Sequence, residues 1–113
     1  MLRAWEDIVP EVILTDERIE HIRVRHPGAY ESYSHWVTAT IEAPDYVLRD
    51  DRNDRTAAFI RHAEGSNLNV VVKLAVANEE GKMSSIITLY PISPKRLKRL
   101  LRKEMIIYKA PGM

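Results

Sequence analysis

Apolar positions recur at helical spacing from Leu14 to Glu42, alternate from Tyr46 to Tyr90, and return to helical spacing from Pro94 to Lys103. Val12 to Leu14 reads as a short strand ahead of the first helix. Thr15 is a good N-cap, because its hydroxyl can accept from a free backbone N–H, and Asp16 and Glu17 suit the positive end of the helix dipole. Ile19, Ile22 and His26 then fall on one face, and Pro27-Gly28 ends the helix. A second helix is predicted over Ser32 to Glu42, with Trp36, Val37 and Ile41 buried. Thr38 and Thr40 weaken its helical propensity, and Ala43-Pro44-Asp45 stops it.

The alternating stretch predicts strands. Tyr46 to Asp50 and Thr56 to His62 flank the polar turn Asp51-Arg52-Asn53-Asp54, as in a hairpin. Ala63 to Asn67 is the next turn, Leu68 to Ala77 the longest strand, Asn78 to Lys82 a turn and Met83 to Tyr90 another strand. Ser93 caps a helix with Pro94 in its first position and Leu97, Leu100 and Leu101 as its buried stripe. Met105 to Tyr108 is a closing strand. Met1 to Glu11 is weakly patterned and broken by Pro10, which suggests an arm docked through Trp5, Ile8 and Val9. Residues 12–113 then form one domain. Helices kept apart from consecutive antiparallel strands define the α+β class, not a doubly wound parallel sheet.

Alternation also assigns faces. Leu68, Val70, Val72, Leu74 and Val76 share one face of the long strand, and Lys73 lies on the other with Val71 and Ala75. In the next strand Ile86, Thr88 and Tyr90 share a face opposite Ile87 and Leu89. With the aliphatic faces against the helices, the second face presents Lys73, Thr88, Tyr90 and His62 together.

Composition narrows the chemistry. The 113 residues are 45% hydrophobic and 29% charged, enough for one core. There is no cysteine, so disulfides, thiolate metal sites and cysteine nucleophiles are excluded. No apolar run approaches a membrane span and no signal-peptide pattern opens the chain, which points to the cytoplasm. The net charge is only +1, from 17 basic and 16 acidic residues, but the charges are segregated. Ser93 to Lys103 is almost purely basic, and Glu42 to Asp54 carries much of the acid.

Each candidate residue has a plain reading and a chemical one. His26 at a helix C-terminus caps a carbonyl, or serves as a positioned acid or base; spacing alone favours the cap. His21 is an exposed histidine about 140° around the helix from His26, a poor arrangement for a shared metal. No zinc site is expected, and the isolated His35 and His62 do not supply one. Arg25 is a solvated charge or a phosphate clamp. Lys73 is a snorkelling lysine or a cation held on a rigid strand. Thr88 and Tyr90 pack in the sheet, or offer hydroxyls to a phosphate or sugar. Lys95, Arg96, Lys98, Arg99, Arg102 and Lys103 meet no acidic residue before Glu104, and like charges at such spacings destabilise a helix. A polyanion would relieve that repulsion. No glycine-rich phosphate loop, nucleophile elbow or metal motif is present.

The order of short motifs resembles the phage-associated members of the Barnase–EndoU–colicin–RelE (BECR) superfamily of small ribonucleases. The motifs are Leu14-Thr15-Asp16-Glu17-Arg18 leading to His21-Ile22 and Arg25-His26-Pro27, then Pro44-Asp45-Tyr46-Val47 and Val71-Val72-Lys73-Leu74. Ile86-Ile87-Thr88-Leu89-Tyr90 and Ile106-Ile107-Tyr108-Lys109 complete a match from Val12 to Lys109. The resemblance implies N-terminal helices on a roughly four-stranded antiparallel sheet, with the basic helix before the last short strand. It implies a toxin-like, metal-independent ribonuclease of prophages, with no cofactor and with an antitoxin or immunity protein as partner. An RNA 2′-hydroxyl, in tRNA or another structured RNA, would attack the adjacent phosphorus to give a cyclic phosphate. His26 or His21 would move the proton, Arg25 and Lys73 would stabilise charge, and Thr88 and Tyr90 would orient the phosphate. Lys95, Arg96, Lys98, Arg99 and Arg102 would hold the RNA. The rival reading is a non-catalytic nucleic-acid-binding or protein-interaction module of a prophage.

Overall fold

The computed structural model describes residues 12–50, 53–74 and 84–112. The expected N-terminal arm, the segment 75–77 and the turn at 78–82 lie outside them. Strand β1 (Val12–Ile13) leads to helix α1 (Asp16–Arg25), α2 (Ala29–Tyr33), a 3₁₀ turn (Ser34–Trp36) and α3 (Val37–Glu42). Strands β2 (Tyr46–Asp50), β3 (Asn53–Ala63), β4 (Ser66–Lys73) and β5 (Ser84–Ile92) follow, then α4 (Pro94–Lys103) and β6 (Met105–Lys109).

Among the described residues six strands form one sheet, in the order β1-β5-β4-β3-β2-β6. This corrects the four-stranded, all-antiparallel expectation. The meander β2 to β5 is antiparallel, β6 returns to pair with β2, and β1 runs parallel to β5. The two-residue β1 and the terminal β6 are short segments, and pairing supplied by neighbours rather than periodicity makes them strands. The longest described strand is β3, not β4, because pairing continues past the expected turn to Asp50↔Asn53. The β3–β4 hairpin has a two-residue loop, Glu64-Gly65, with φ of 50° and 81° and Ala63 paired to Ser66. Positive φ at both positions suits the twist of a tight hairpin.

Thr15 caps α1 by accepting from the Arg18 N–H at 3.2 Å, and Ser93 caps α4 by accepting from the Arg96 N–H at 3.1 Å. The expected second helix is broken and begins earlier. Gly28, at φ 82°, turns the chain into α2, and the path passes through a 3₁₀ turn before α3. Within this β-branched stretch the Thr40 hydroxyl donates back to the Trp36 carbonyl at 2.7 Å. Arg23 bridges Glu20 at 2.6 Å and Glu31 at 3.2 Å, tying α1 to α2 across the corner that holds His26.

Two cores lie on opposite faces of the sheet. On the first face Val47, Phe59, Val70 and Leu89 stand in one row across β2 to β5, all fully buried, and Ile22 of α1 and Ala29 of α2 pack over them. On the second face Leu97, Leu100 and Leu101 of α4 cover Leu48, Ile60 and Ile92. Helices therefore cover both faces, where the sequence suggested one open face. Ile86 is also placed differently. A bulge in β5 opposite Val71/Val72 sets Ile86 beside Val72 in the first core, away from Thr88 and Tyr90.

Among the described residues Phe59 is the largest fully buried side chain, and it sits mid-row. Phe59→Ala should destabilise the fold by about 3–5 kcal/mol, measured by urea denaturation. Leu97→Ala, at the half-buried α4 contact, should cost clearly less.

Candidate functional site

The residue before a proline is disfavoured in helical geometry, so α1 must end at His26. There φ is −134° and ψ 76°, and the His26 backbone N–H still donates to the Ile22 carbonyl at 2.7 Å. The side chain thus leaves the helix at the edge of the sheet. β1 pairs only with Ser84 and Ser85, so among the described residues the C-terminal half of β5 has no strand on that side. His26 stacks on Tyr90, in this half of β5, with ring centroids 4.3 Å apart and planes 18° from parallel.

Tyr90 is the hinge of the site. It packs against both cores and lines two clefts. The first, of about 470 Å³, is bounded by Arg25, His26, Gly28, Ser32, Tyr33 and Tyr90. The second, of about 230 Å³, lies under α4 and is lined by Thr56, Asn69, Val71, Tyr90, Arg96 and Glu104, among others. The Arg96 guanidinium lies 6.0 Å from the centre of the Tyr90 ring, at the outer limit of a cation–π contact.

Burial lowers the His26 pKa below its ordinary value, and the charges of Arg25, Arg96 and His21 lower it further. The causes are desolvation and nearby like charge. The shift favours the neutral imidazole, which is the state a proton acceptor needs. The same cations give this corner a positive potential.

The fold brings His26, Arg25 and Tyr90 together and adds Arg96, which sequence assigned only to a basic helix surface. His21 is exposed on α1. Thr88 and Lys73 lie on the second face with Tyr90, as alternation indicated. The ladder pairs Asn69 with Tyr90, Val71 with Thr88 and Lys73 with Ser85. Lys73 is exposed, roughly 13 Å along β4 from Asn69, and it lines neither cleft. His62 is exposed on the same face, and His35 lies 3.3 Å from Glu64. The basic residues of α4, Lys95, Arg96, Lys98, Arg99, Arg102 and Lys103, are all exposed, and among the described residues none has an acidic partner within salt-bridge distance. Among the described residues no three His, Asp or Glu side chains are grouped as metal ligands, and no helix is long and apolar enough to cross a membrane.

Thr56, Asn69 and Glu104 escaped the sequence reading. Asn69 carried a usable signal, an amide inside an otherwise aliphatic strand on the Lys73 face. Thr56 and Glu104 carried none, since their placement depends on how α4 folds back over the sheet.

No curated protein and no solved structure matches the chain. A family model described as phage-Barnase-EndoU-ColicinE5/D-RelE like nuclease 2 matches residues 2–109. The match spans nearly the whole chain, the α+β architecture is consistent with it, and the protein belongs to this phage-associated nuclease family.

Proposed function

We propose that the protein is a toxin-like, metal-independent endoribonuclease of a prophage, acting in the cytoplasm on tRNA or another structured RNA. The observation that carries this reading is His26, stacked on Tyr90, lining a cleft with Arg25, and with its pKa lowered by burial and by the charges of Arg25 and Arg96. In the proposed reaction His26 takes the proton of an RNA 2′-hydroxyl. The 2′-oxygen bonds to the adjacent phosphorus, the bond to the 5′-oxygen breaks, and that oxygen takes up a proton from the His26 imidazolium or from water, leaving a 5′-hydroxyl and a 2′,3′-cyclic phosphate. His21, on the polar side of the same helix, is the second candidate for proton transfer.

Negative charge builds on the phosphoryl oxygens in this step, and fixed cations stabilise it best when they are already in place. Arg25 and Arg96 take that role, and a guanidinium can hold two phosphate oxygens at once. Thr88 and Tyr90 orient the phosphate. Lys73 meets the RNA backbone further along the second face. Lys95, Lys98, Arg99 and Arg102 attract the flanking phosphates. The chemistry needs the 2′-hydroxyl, so DNA is not cleaved. Such an activity calls for an antitoxin or immunity protein as partner in the producing cell.

The exposed cations of α4 equally suit a non-catalytic nucleic-acid-binding module, and one experiment separates the readings. Total RNA is incubated with the protein in EDTA. Cleavage leaving cyclic-phosphate ends is expected, and His26→Ala should slow it by about 10²–10⁴-fold while the circular dichroism spectrum is kept. RNA binding without cleavage would leave the binding module. In either case, replacing Lys98, Arg99 and Arg102 by alanine should weaken RNA binding. The slope of log K against log salt should then flatten by about 0.7 for each single-strand phosphate that is no longer neutralised.

His26 gives a pH signature. NMR titration should place its pKa below 6.5, and Arg96→Gln should move it upward. On acidification the unfolded chain takes up the His26 proton before the folded one does, so folded stability falls as pH drops from the ordinary value through the lowered one. Between pH 7 and about 5 the wild type should therefore lose more stability than His26→Gln, measured by denaturant midpoints at each pH.

A further inference from the structure

The cleft beside His26 has walls that proton transfer does not call for. Besides His26 it offers one cation, Arg25, two prolines, Pro27 and Pro91, two tyrosines, Tyr33 and Tyr90, and no acidic residue. Its volume of about 470 Å³ lies within the roughly 300–1,000 Å³ of small-molecule sites. That is room for a nucleotide.

The two tyrosines are not equivalent. Tyr90 already stacks on His26. Tyr33 is half-buried and packs partly on the first core, and among the described residues it stacks on no ring or guanidinium. It is therefore the aromatic side chain of the cleft that a further ring can join. The wall that carries it is braced. Arg23 spans from Glu20 on α1 to Glu31 on α2, and its guanidinium lies 5.1 Å from the centre of the Tyr30 ring. Tyr33 ends the same short helix as Tyr30 and Glu31, so it sits on a fixed corner and not on a free loop. A contact held in place before binding costs less order to make.

The chemistry of these walls names the ligand. A lone phosphate would meet a single guanidinium and otherwise neutral groups, and a lone sugar has no flat face to offer. Every nucleobase has a π-face, and stacking on aromatic side chains is how unpaired bases are commonly held. Arg25, on the same wall, suits the phosphate attached to such a base. The position of the cleft adds a constraint. It opens beside the C-terminal half of β5, which has no strand on that side among the described residues. A base enters there only when turned out of its helix, because in a duplex each base face is covered by its neighbours.

We propose that this cleft seats an unpaired base of the RNA, stacked on Tyr33 with its phosphate at Arg25, so that the protein selects single-stranded or looped sites. The cut itself rests on the nuclease reading, but occupation of the cleft by a base can be measured apart from it.

The full chain, labelled in its tyrosine rings, is titrated with the four nucleoside 5′-monophosphates and, separately, with ribose 5-phosphate and inorganic phosphate, and the Tyr33 ring is followed by NMR. The nucleotides should shift that ring at concentrations about tenfold lower than ribose 5-phosphate needs. Tyr33→Leu should weaken nucleotide binding roughly tenfold, and Tyr33→Phe, which keeps the ring, should restore it. Ser32 is exposed on the cleft wall, so Ser32→Leu fills space there without entering the core and should weaken binding too. It decides the matter if Tyr33→Leu does not fold. In parallel, one RNA sequence is offered as a hairpin loop and as a paired duplex, and the loop should be cut faster by more than about tenfold. Ribose 5-phosphate matching the nucleotides, an unmoved Tyr33 ring, binding unchanged in Ser32→Leu and in folded Tyr33→Leu, or equal cutting of loop and duplex would each overturn the proposal. Base binding at Tyr33 with no RNA cut by the wild type would keep the cleft as a nucleotide site and overturn the ribonuclease reading.

Discussion

The β5 strand has to serve two cores at once, and the bulge opposite Val71/Val72 is how it does so. Leu89 must complete the fully buried row with Val47, Phe59 and Val70, while Tyr90 and Thr88 must face α4. Strict alternation would then carry Ile86 to the second face with Thr88. The extra residue returns Ile86 to the first core beside Val72, so both ends of the strand remain anchored there. A bulge also strengthens local twist. Between two anchored ends, the segment bearing Thr88 and Tyr90 is held at a fixed height. The His26–Tyr90 stack depends on that placement.

Much of the architecture was legible because it is local. Thr15 and Ser93 are caps whose oxygens reach the expected N–H groups, and α1 and α4 begin and end where those caps and Pro27 require. The alternation of β4 correctly put Lys73 on the face of Thr88 and Tyr90. What escaped was non-local. No pattern in Val12–Ile13 announces a parallel partner at Ser84 and Ser85, and a bulge leaves the hydrophobicity of Ile86 and Ile87 unchanged. The second helix failed as a single unit because the 3₁₀ turn at Ser34–Trp36 interrupts it ahead of the β-branched α3.

The site was legible in part for the same reason. His26 and Arg25 are adjacent in sequence, and Tyr90 announced itself by alternation. Their convergence required α1 to end at the unpartnered half of β5, which is a property of the sheet order. Arg96 was assigned to a basic surface because helical periodicity sorts residues into buried and exposed only. It cannot show that an exposed residue in the first turn of α4 overhangs an aromatic ring on a strand that ended two residues before the helix began.

The charge pattern of α4 fits this placement. Cations are favourable near a helix C-terminus and unfavourable near the N-terminus, where the dipole is already positive. Arg102 and Lys103 follow that rule, but Lys95 and Arg96 break it, and the first turn carries no acidic residue. The helix therefore gives up some intrinsic stability at the end closest to Tyr90. Three leucines packed on Leu48, Ile60 and Ile92 compensate through tertiary contact. The result is a concentration of positive potential where the helix dipole, Lys95 and Arg96 meet Arg25 and His26 at the edge of β5. Local preference and global arrangement disagree at this point, and such disagreements collect at functional sites. The same field that adds to burial in lowering the His26 pKa would draw a phosphate to it. The electrostatic cost borne by the helix would thus become attraction for a polyanion.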